Sequence, residues 1–470
     1  MAVIGGGITG LAAAFRLREL AATRELPLEV TVLERGPRLG GPLRTVRRGG
    51  FVIETGADSF LSDKPWAADL ARRLGLETEL IPTREEFRRT LVVRAGRLVE
   101  IPDGFSLLAP ARLGPVLRSP LFSFGAKIRI ALEPFIPRRI DGADESLASF
   151  VTRRLGREVL ERVAQPLAGG IYTADPNQLS IAATTPRFVD MERSYGSVIR
   201  GLRAAEETRA MRGTSGARWS LFLSLRGGME SIVEALATRL AGSIRSGAEI
   251  ASVAREDSRW RVGLADGTTL DADAVICTAP AYTAARILSA LEPSLAARLA
   301  EISYASAATV NLTFNERDFP VPPRSFGFVV PIVERRKIIA GSFSSLKFDG
   351  RAPVGSILAR AFIGGVLQSQ MMQLGDDEMV AAVREEFAAL LGVRAAPGTV
   401  EVQRWPDSMP QYKVGHLERV AAIERIAAGI PNFKLAGAAY RGVGIPDCVR
   451  SGERAAEEVF TAMAAHAAEA

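Results

Sequence analysis

Histidine and cysteine are almost missing from this chain: 470 residues hold two of each, His416, His466, Cys277 and Cys448. So few histidines argue against a histidine-based metal centre and against a Ser-His-Asp triad. Two cysteines far apart in sequence support neither a disulfide framework nor a thiolate metal site, and they fit a reducing, cytoplasmic setting. No apolar run approaches the roughly 20 residues of a membrane-spanning helix, and no secretory leader is recognisable. No Lys/Arg run with interleaved aromatics is present, so nucleic acid is not an expected partner. The basic excess is small, 59 Lys and Arg against 53 Asp and Glu, and suits an acidic ligand or an anionic surface. Difficult chemistry then has to come from a cofactor.

What is present begins four residues in. "VIGGGITGLAAAF" carries Gly5, Gly7 and Gly10 at the G-x-G-x-x-G spacing, where missing side chains let backbone N–H groups approach a pyrophosphate at a helix start. The following "GLAAAFRLRELAA" has the alanine and leucine content and the outward arginines of the helix in such a unit. "LEVTVLER" reads as a buried parallel strand ending at Glu34, whose carboxylate is placed to accept hydrogen bonds from ribose hydroxyls. The first strand, residues 1–4, is short, which leaves open a start further upstream. Beyond Arg35, "RGPRLGG" adds a second glycine turn at Gly40 and Gly41, with arginines that neutralise phosphate charge. A plain NAD-binding unit does not require that turn, so FAD is the expected dinucleotide.

Nucleotide-site character recurs from "LRGGMESIVEALATRL" to "DADAVICTAPA", and again in "FKLAGAAYRGVGIPDCVRSGERAAEEV". The second of these places a helix start where it would stabilise negative charge on the pyrimidine edge of a reduced flavin. The expected fold class is α/β and α+β. A discontinuous Rossmann-like FAD-binding domain takes residues 1–60, 226–282 and 401–470. A mixed-sheet substrate domain takes 61–100 and 283–400, and a helical lobe takes 101–200. Within 105–139, apolar residues alternate with Arg112, Arg118, Lys127, Arg129, Arg138 and Arg139 against one acid, Glu133. That pattern fits an interfacial membrane-binding surface, or a helical lobe with solvated cations.

The stretches "VIGGGITGLAAAF", "FVIETGADSFLSDKPW", "PLAGGIYTADPNQLSIAATTPRF", "YGSVIRGL", "LRGGMESIVEAL", "MPQYKVGH" and "YRGVGIPDCVRSG" extend over nearly the whole chain. Together they resemble the FAD-dependent protoporphyrinogen/coproporphyrinogen oxidase family. The terminal blocks are shared with amine oxidases and carotene desaturases, whereas "GGIYTADPNQLS" and "YRGVGIPDC" are specific to the family. The resemblance implies oxidation of a porphyrinogen to its porphyrin in haem biosynthesis. Six electrons leave as three hydride-like pairs to non-covalent FAD, and molecular oxygen takes them on to hydrogen peroxide, with no metal and no catalytic side chain.

Carried onto this chain, the resemblance puts flavin contacts at Gly5, Gly7, Gly10, Glu34, Arg35, Gly40, Gly41, Val253, Gly437, Val443, Gly444 and Ile445. Lys64 and Arg89 meet substrate propionates, and Gly170, Phe326, Val329 and Phe348 flank the macrocycle. Arg89 matches the protoporphyrinogen branch and Lys64 the coproporphyrinogen branch, so the preferred macrocycle stays open. Ala438 stands where many of the wider superfamily carry Asp or Asn, which removes a side-chain bond to the cofactor. A cytoplasmic protein is expected, with peripheral contact at the inner face of the membrane and hand-over of product to the next haem-pathway enzyme. The alternatives are another flavin amine oxidase or carotenoid desaturase, and a flavin- and tetrapyrrole-binding protein without turnover.

Overall fold

Short apolar runs far apart in sequence build the first sheet. The strands Ile244–Ser246, Thr31–Glu34, Ala2–Ile4, Val275–Cys277 and Phe433–Leu435 lie side by side in that order, all parallel. Their residues alternate between two separate cores. Val3, Val32 and Ile276 pack on one face with the first and last helices, Ile8–Arg24 and Ile445–Glu469. Ala2, Ile4, Leu33, Val275 and Cys277 pack on the other with Trp260 and Ile287. Both faces are covered, which is why these runs show no polar alternation. The structure is a computed structural model describing residues 1–211, 221–257 and 259–469, with side chains described for all of these except 209–211 and 465–469.

The second sheet has seven strands. Its order is Val400–Pro410, Tyr304–Asn315, Ser356–Gly364, Ala340–Phe343, Gly327–Val329, Thr90–Arg94 and Arg97–Glu100. Pairing is antiparallel except between Gly327–Val329 and Thr90–Arg94. Val310 and Leu312 point to a core closed by Met379, Val383 and Phe387 of helix Asp376–Leu391. The alternate residue Thr309 points the other way and donates to the Thr55 carbonyl at 2.8 Å, as does Trp405 Nε1. Lys347 Nζ holds the Asp58 carboxylate at 3.0 Å. Burial pushes Asp58 up, but Lys347 and Arg360 outweigh it and hold the carboxyl below its usual range. Residues 54–58 are therefore held against the large sheet by ordered polar contacts.

Two stretches fall on the other side of the expected division. Val400–Pro410 pairs with Tyr304–Asn315 and belongs to the seven-stranded sheet, although 401–410 were expected with the flavin-binding part. Leu80, with Ala67, Leu70 and Ala71 of helix Trp66–Arg73, joins the core beneath the first helix rather than the substrate side. Backbone pairing places the first and side-chain burial the second, and both cross the boundary that sequence spacing suggests.

Helices between 113 and 211 form the lobe around Phe150, Val163, Phe188 and Ile199. At its centre Arg154 and Glu133 make a fully buried ion pair. Glu133 also accepts from the N–H groups of Val198 at 2.9 Å and Ile199 at 3.3 Å and from the Ser197 hydroxyl. On its outer face, Phe124 is 79% and Phe135 77% exposed, with Leu117, Ile128, Leu132 and Ile140 also exposed. Phe124, Ile128 and Leu132 follow one another at four-residue spacing, a continuous apolar stripe. Four of the six cations expected here are engaged within the protein. Arg129 donates to the Arg153 and Arg154 carbonyls, Arg138 to that of Arg193, and Arg112 and Arg139 pair with acids. No helix among the described residues is long and apolar enough to cross a membrane.

Candidate active site

Strand Ala2–Ile4 runs into the turn at Gly5 to Gly7 and then into helix Ile8–Arg24. This helix starts with no side-chain cap and no acid in its first turn, so its N–H groups and positive dipole end are left for an anion. Gly10 serves packing: a Cβ there would fall 1.9 Å from the Gly5 carbonyl oxygen. Gly7 serves space: a Cβ there meets no heavy atom within 4 Å. The second glycine turn bounds that space, with the Gly40 N–H donating to the Gly6 carbonyl at 2.8 Å. A Cβ on Gly41 would lie 3.8 Å from the Gly7 Cα. Inside this turn Arg38 donates to the carbonyls of Leu39 and Leu43 at 2.7 and 2.8 Å and to that of Gly41. Glu34, at the end of its strand, accepts from the N–H groups of Gly6 at 2.7 Å and Gly36 at 2.8 Å. Arg35 is exposed, and Val253 has its side chain in the core, which leaves only its backbone for the expected flavin contact.

The C-terminal stretch reaches the same place. A Cβ on Gly437 would sit 3.7 Å from the Thr278 carbonyl and 3.9 Å from the Thr9 hydroxyl, while the Thr278 N–H donates to the Ile4 carbonyl at 2.8 Å. Val443 and Gly444 lead into Ile445, where the last helix begins with Asp447 in its first turn. Gly442 has φ of +154°, and a Cβ there would overlap the Asp447 side chain at 2.5 Å. Two glycine turns around an open anion site, a carboxylate at the strand end and a second helix start form a cradle that fits FAD.

Lys64 is not a free cation. Its ammonium donates to both Asp447 oxygens, at 2.8 and 2.7 Å, and so ties the chain after residue 61 to the first turn of the last helix. Arg89 lies in the open, 58% exposed and 3.6 Å from Glu100. The Phe326 N–H donates to the Arg89 carbonyl at 3.0 Å, which places these two together at the sheet. Val329 packs in one cluster with Ala168, Tyr172, Phe362 and Tyr412, and Val443 of the C-terminal stretch packs against it. Gly170, on helix Gln165–Tyr172, is exposed with no atom within 4 Å of a Cβ. Phe348 is not brought to this cluster. It is 1% exposed, with Lys347 and Arg351 over its ring at 5.2 and 5.6 Å, and has no face to offer a macrocycle.

The thiols, the phenol and the imidazole nearby are held neutral. Burial pushes the Cys277 thiol up to about 11, Cys448 to about 12 and the Tyr172 phenol to about 12. Burial lowers His416 to about 4. None is a nucleophile or base at neutral pH, which leaves the site as a shaped apolar surface beside a dinucleotide cradle. Arg38, expected to neutralise phosphate charge, donates to carbonyls of its own turn; sequence reasoning passed over the Asp447 carboxylate as partner of Lys64, and Tyr412. Arg38 carried a signal in "RGPRLGG"; the Lys64–Asp447 pair spans 383 positions and carried none.

Comparison with known proteins agrees with this geometry. The model of the flavin containing amine oxidoreductase family matches residues 8–460. The coproporphyrinogen III oxidase of Bacillus subtilis is 34% identical over 461 residues, covering 98% of this chain and 97% of its own. The protoporphyrinogen oxidase of Homo sapiens is 32% identical, covering 97% of this chain and 98% of its own. A solved structure from Exiguobacterium sp. 255-15 superposes with a TM-score of 0.84 at 32% identity, covering 97% of this chain and 98% of that one. Putrescine oxidase shares the fold at a TM-score of 0.69 and 17% identity. This chain therefore belongs to the flavin-containing amine oxidoreductase family, in the branch of the coproporphyrinogen III and protoporphyrinogen oxidases.

Proposed function

We propose that this protein oxidises a porphyrinogen, coproporphyrinogen III or protoporphyrinogen IX, to the porphyrin in haem biosynthesis, with non-covalently bound FAD and molecular oxygen as final acceptor. The observation that carries the reading is that Val329 of the large sheet and Val443 of the cofactor stretch share one apolar cluster with Ala168, on the helix that carries exposed Gly170. A flat apolar ring needs such walls, and its carboxylates need cations at the rim. Bound FAD would supply the two-electron acceptor. The residues hold it, orient the macrocycle and keep water out. Non-covalent binding is supported by Cys448, a buried thiol held protonated by its surroundings and so a poor nucleophile toward a flavin ring.

Arg89 is the proposed propionate anchor at the open rim. Lys64 spends its contacts on Asp447, and its proposed part is a second, shared anchor with a donor to spare. A charge-assisted contact at an exposed site is worth about 1.5 kcal/mol, so Arg89→Ala is expected to lower kcat/KM about tenfold. Flavin content is expected to stay the same. Steady-state porphyrin fluorescence with both porphyrinogens checks this, and unchanged kcat/KM on both removes Arg89 from the substrate site. Lys64→Ala is a less clean probe, because it also leaves the Asp447 carboxylate unpaired at the helix start.

The exposed stripe Phe124, Ile128 and Leu132, with Phe135, supports a second element of the proposal: peripheral contact with a membrane, where an apolar product is handed on to the next enzyme. With most nearby cations already engaged, binding is expected to depend on apolar area more than on salt. Phe124→Ser with Phe135→Ser is expected to abolish co-sedimentation with anionic vesicles. If the unaltered protein fails to co-sediment at low salt, the stripe has another use.

A further inference from the structure

The segment 411–416, next to the last strand of the large sheet, reaches two sites at once. On one side the Gln411 amide donates to the Tyr172 carbonyl at 3.1 Å, at the end of the helix that carries Gly170. The Ser180 N–H donates to the Tyr412 carbonyl at 2.8 Å, and the Val414 N–H to that of Gln178 at 2.9 Å. On the other side the Tyr412 hydroxyl donates to the Ala438 carbonyl at 2.6 Å and accepts from the Gly442 N–H at 2.8 Å. His416 lies stacked on the Tyr412 ring, with centroids 3.9 Å apart and planes 14° from parallel. Its Nε2 sits 2.9 Å from the Tyr440 carbonyl. Both side chains are fully buried.

Alternate backbone groups of the stretch that leads into Ile445 are thus held by one pair of stacked rings. We infer that Tyr412 and His416 are positioning residues: they fix residues 438–442 in the shape that receives the flavin and register that stretch against the substrate wall at Gly170. Three backbone groups, the buried carbonyl of Tyr440 and the half-buried carbonyl of Ala438 and N–H of Gly442, would otherwise lack these partners. The stapling takes the place of a cofactor bond that Ala438 lacks the side chain to make. This inference rests on the flavin-binding character of the family and not on the choice of porphyrinogen.

The test uses apoprotein and reads flavin, not turnover. FAD affinity is measured by quenching of flavin fluorescence on Tyr412→Phe, with the apoprotein melting temperature and the flavin reduction potential alongside. Tyr412→Phe keeps the ring stack and removes only the hydroxyl. The expected result is FAD binding weakened about tenfold or more, a shifted potential, and an apoprotein melting temperature close to the unaltered one. Unchanged affinity and potential overturn the inference. So does a fall in apoprotein stability with no change in affinity, since the rings then serve the fold alone. If Tyr412→Phe fails to fold, His416→Gln carries the same measurement, with a weakened affinity expected and an unchanged one contrary.

Discussion

Gly7→Val chains are expected to fold, to melt close to the unaltered protein and to purify without flavin colour. Gly7 has φ of −72° and ψ of 175°, a conformation open to any L-residue. Its missing Cβ meets nothing within 4 Å, so the folded chain has room for valine. That room is the space before the uncapped start of helix Ile8–Arg24, where the pyrophosphate has to lie. Losing two charge-assisted contacts of about 1.5–3 kcal/mol each corresponds to roughly a hundred- to ten-thousandfold in Kd. Gly10→Val makes the contrasting control. Its Cβ would strike the Gly5 carbonyl, so that variant is expected to lose flavin by losing the fold. Absorbance of the purified proteins with a melting curve separates the two. Stoichiometric flavin in Gly7→Val would move the phosphate site elsewhere.

Removing the Glu133 carboxylate is expected to cost the helical lobe about 3–5 kcal/mol, the usual penalty for leaving one member of a buried ion pair alone. Arg154 has no exposed surface, and its other partners include the carbonyls of Ile136 at 2.9 Å and Gly196 at 3.0 Å and, at 3.4 Å, a carboxylate oxygen of Glu192. Those leave it only partly compensated in Glu133→Ala, and the amides of Val198 and Ile199 lose their acceptor as well. None of these groups belongs to the glycine turns, so flavin stoichiometry is expected to hold while the denaturation midpoint falls. Glu133→Leu combined with Arg154→Met, which removes both charges, is expected to recover much of the loss. Denaturant titration followed by far-UV circular dichroism checks both. A midpoint for Glu133→Ala equal to that of the unaltered chain would mean the pair contributes nothing net.

The cofactor half was legible because backbone contact imposes it. Gly10 is forced by the carbonyl of Gly5, so the glycine spacing carried that turn directly, whereas the Gly6 and Gly36 N–H groups that Glu34 receives were not foreseen. The substrate half was legible only through the family resemblance, and there the residues diverge. Val329 joins the cluster against which Val443, expected on the cofactor side, also packs. Phe348 turns inward under Lys347 and Arg351, where it caps the short helix Ser344–Lys347. Strand Val400–Pro410 escaped notice because its side chains are half-buried with no clean alternation, so nothing in its pattern names the neighbour it pairs with. In residues 105–139 the charges were plain, but hydrogen bonds to carbonyls dozens of residues away decide that Arg129 and Arg138 face the protein. Pairings such as Lys64 with Asp447 depend on how distant segments meet, and no local pattern encodes them.

Electron transfer from a porphyrinogen to a flavin bound in the dinucleotide cradle, beside the apolar cluster of Val329 and Val443, is the proposed activity. Its most direct test is an anaerobic titration of the purified flavoprotein with coproporphyrinogen III and, separately, protoporphyrinogen IX. Absorbance follows the flavin and fluorescence follows the porphyrin. The predicted result is bleaching of the flavin band on addition of at least one of the two, with colour returning and porphyrin accumulating when air is admitted. A flavin that stays oxidised in the presence of both porphyrinogens would contradict the account.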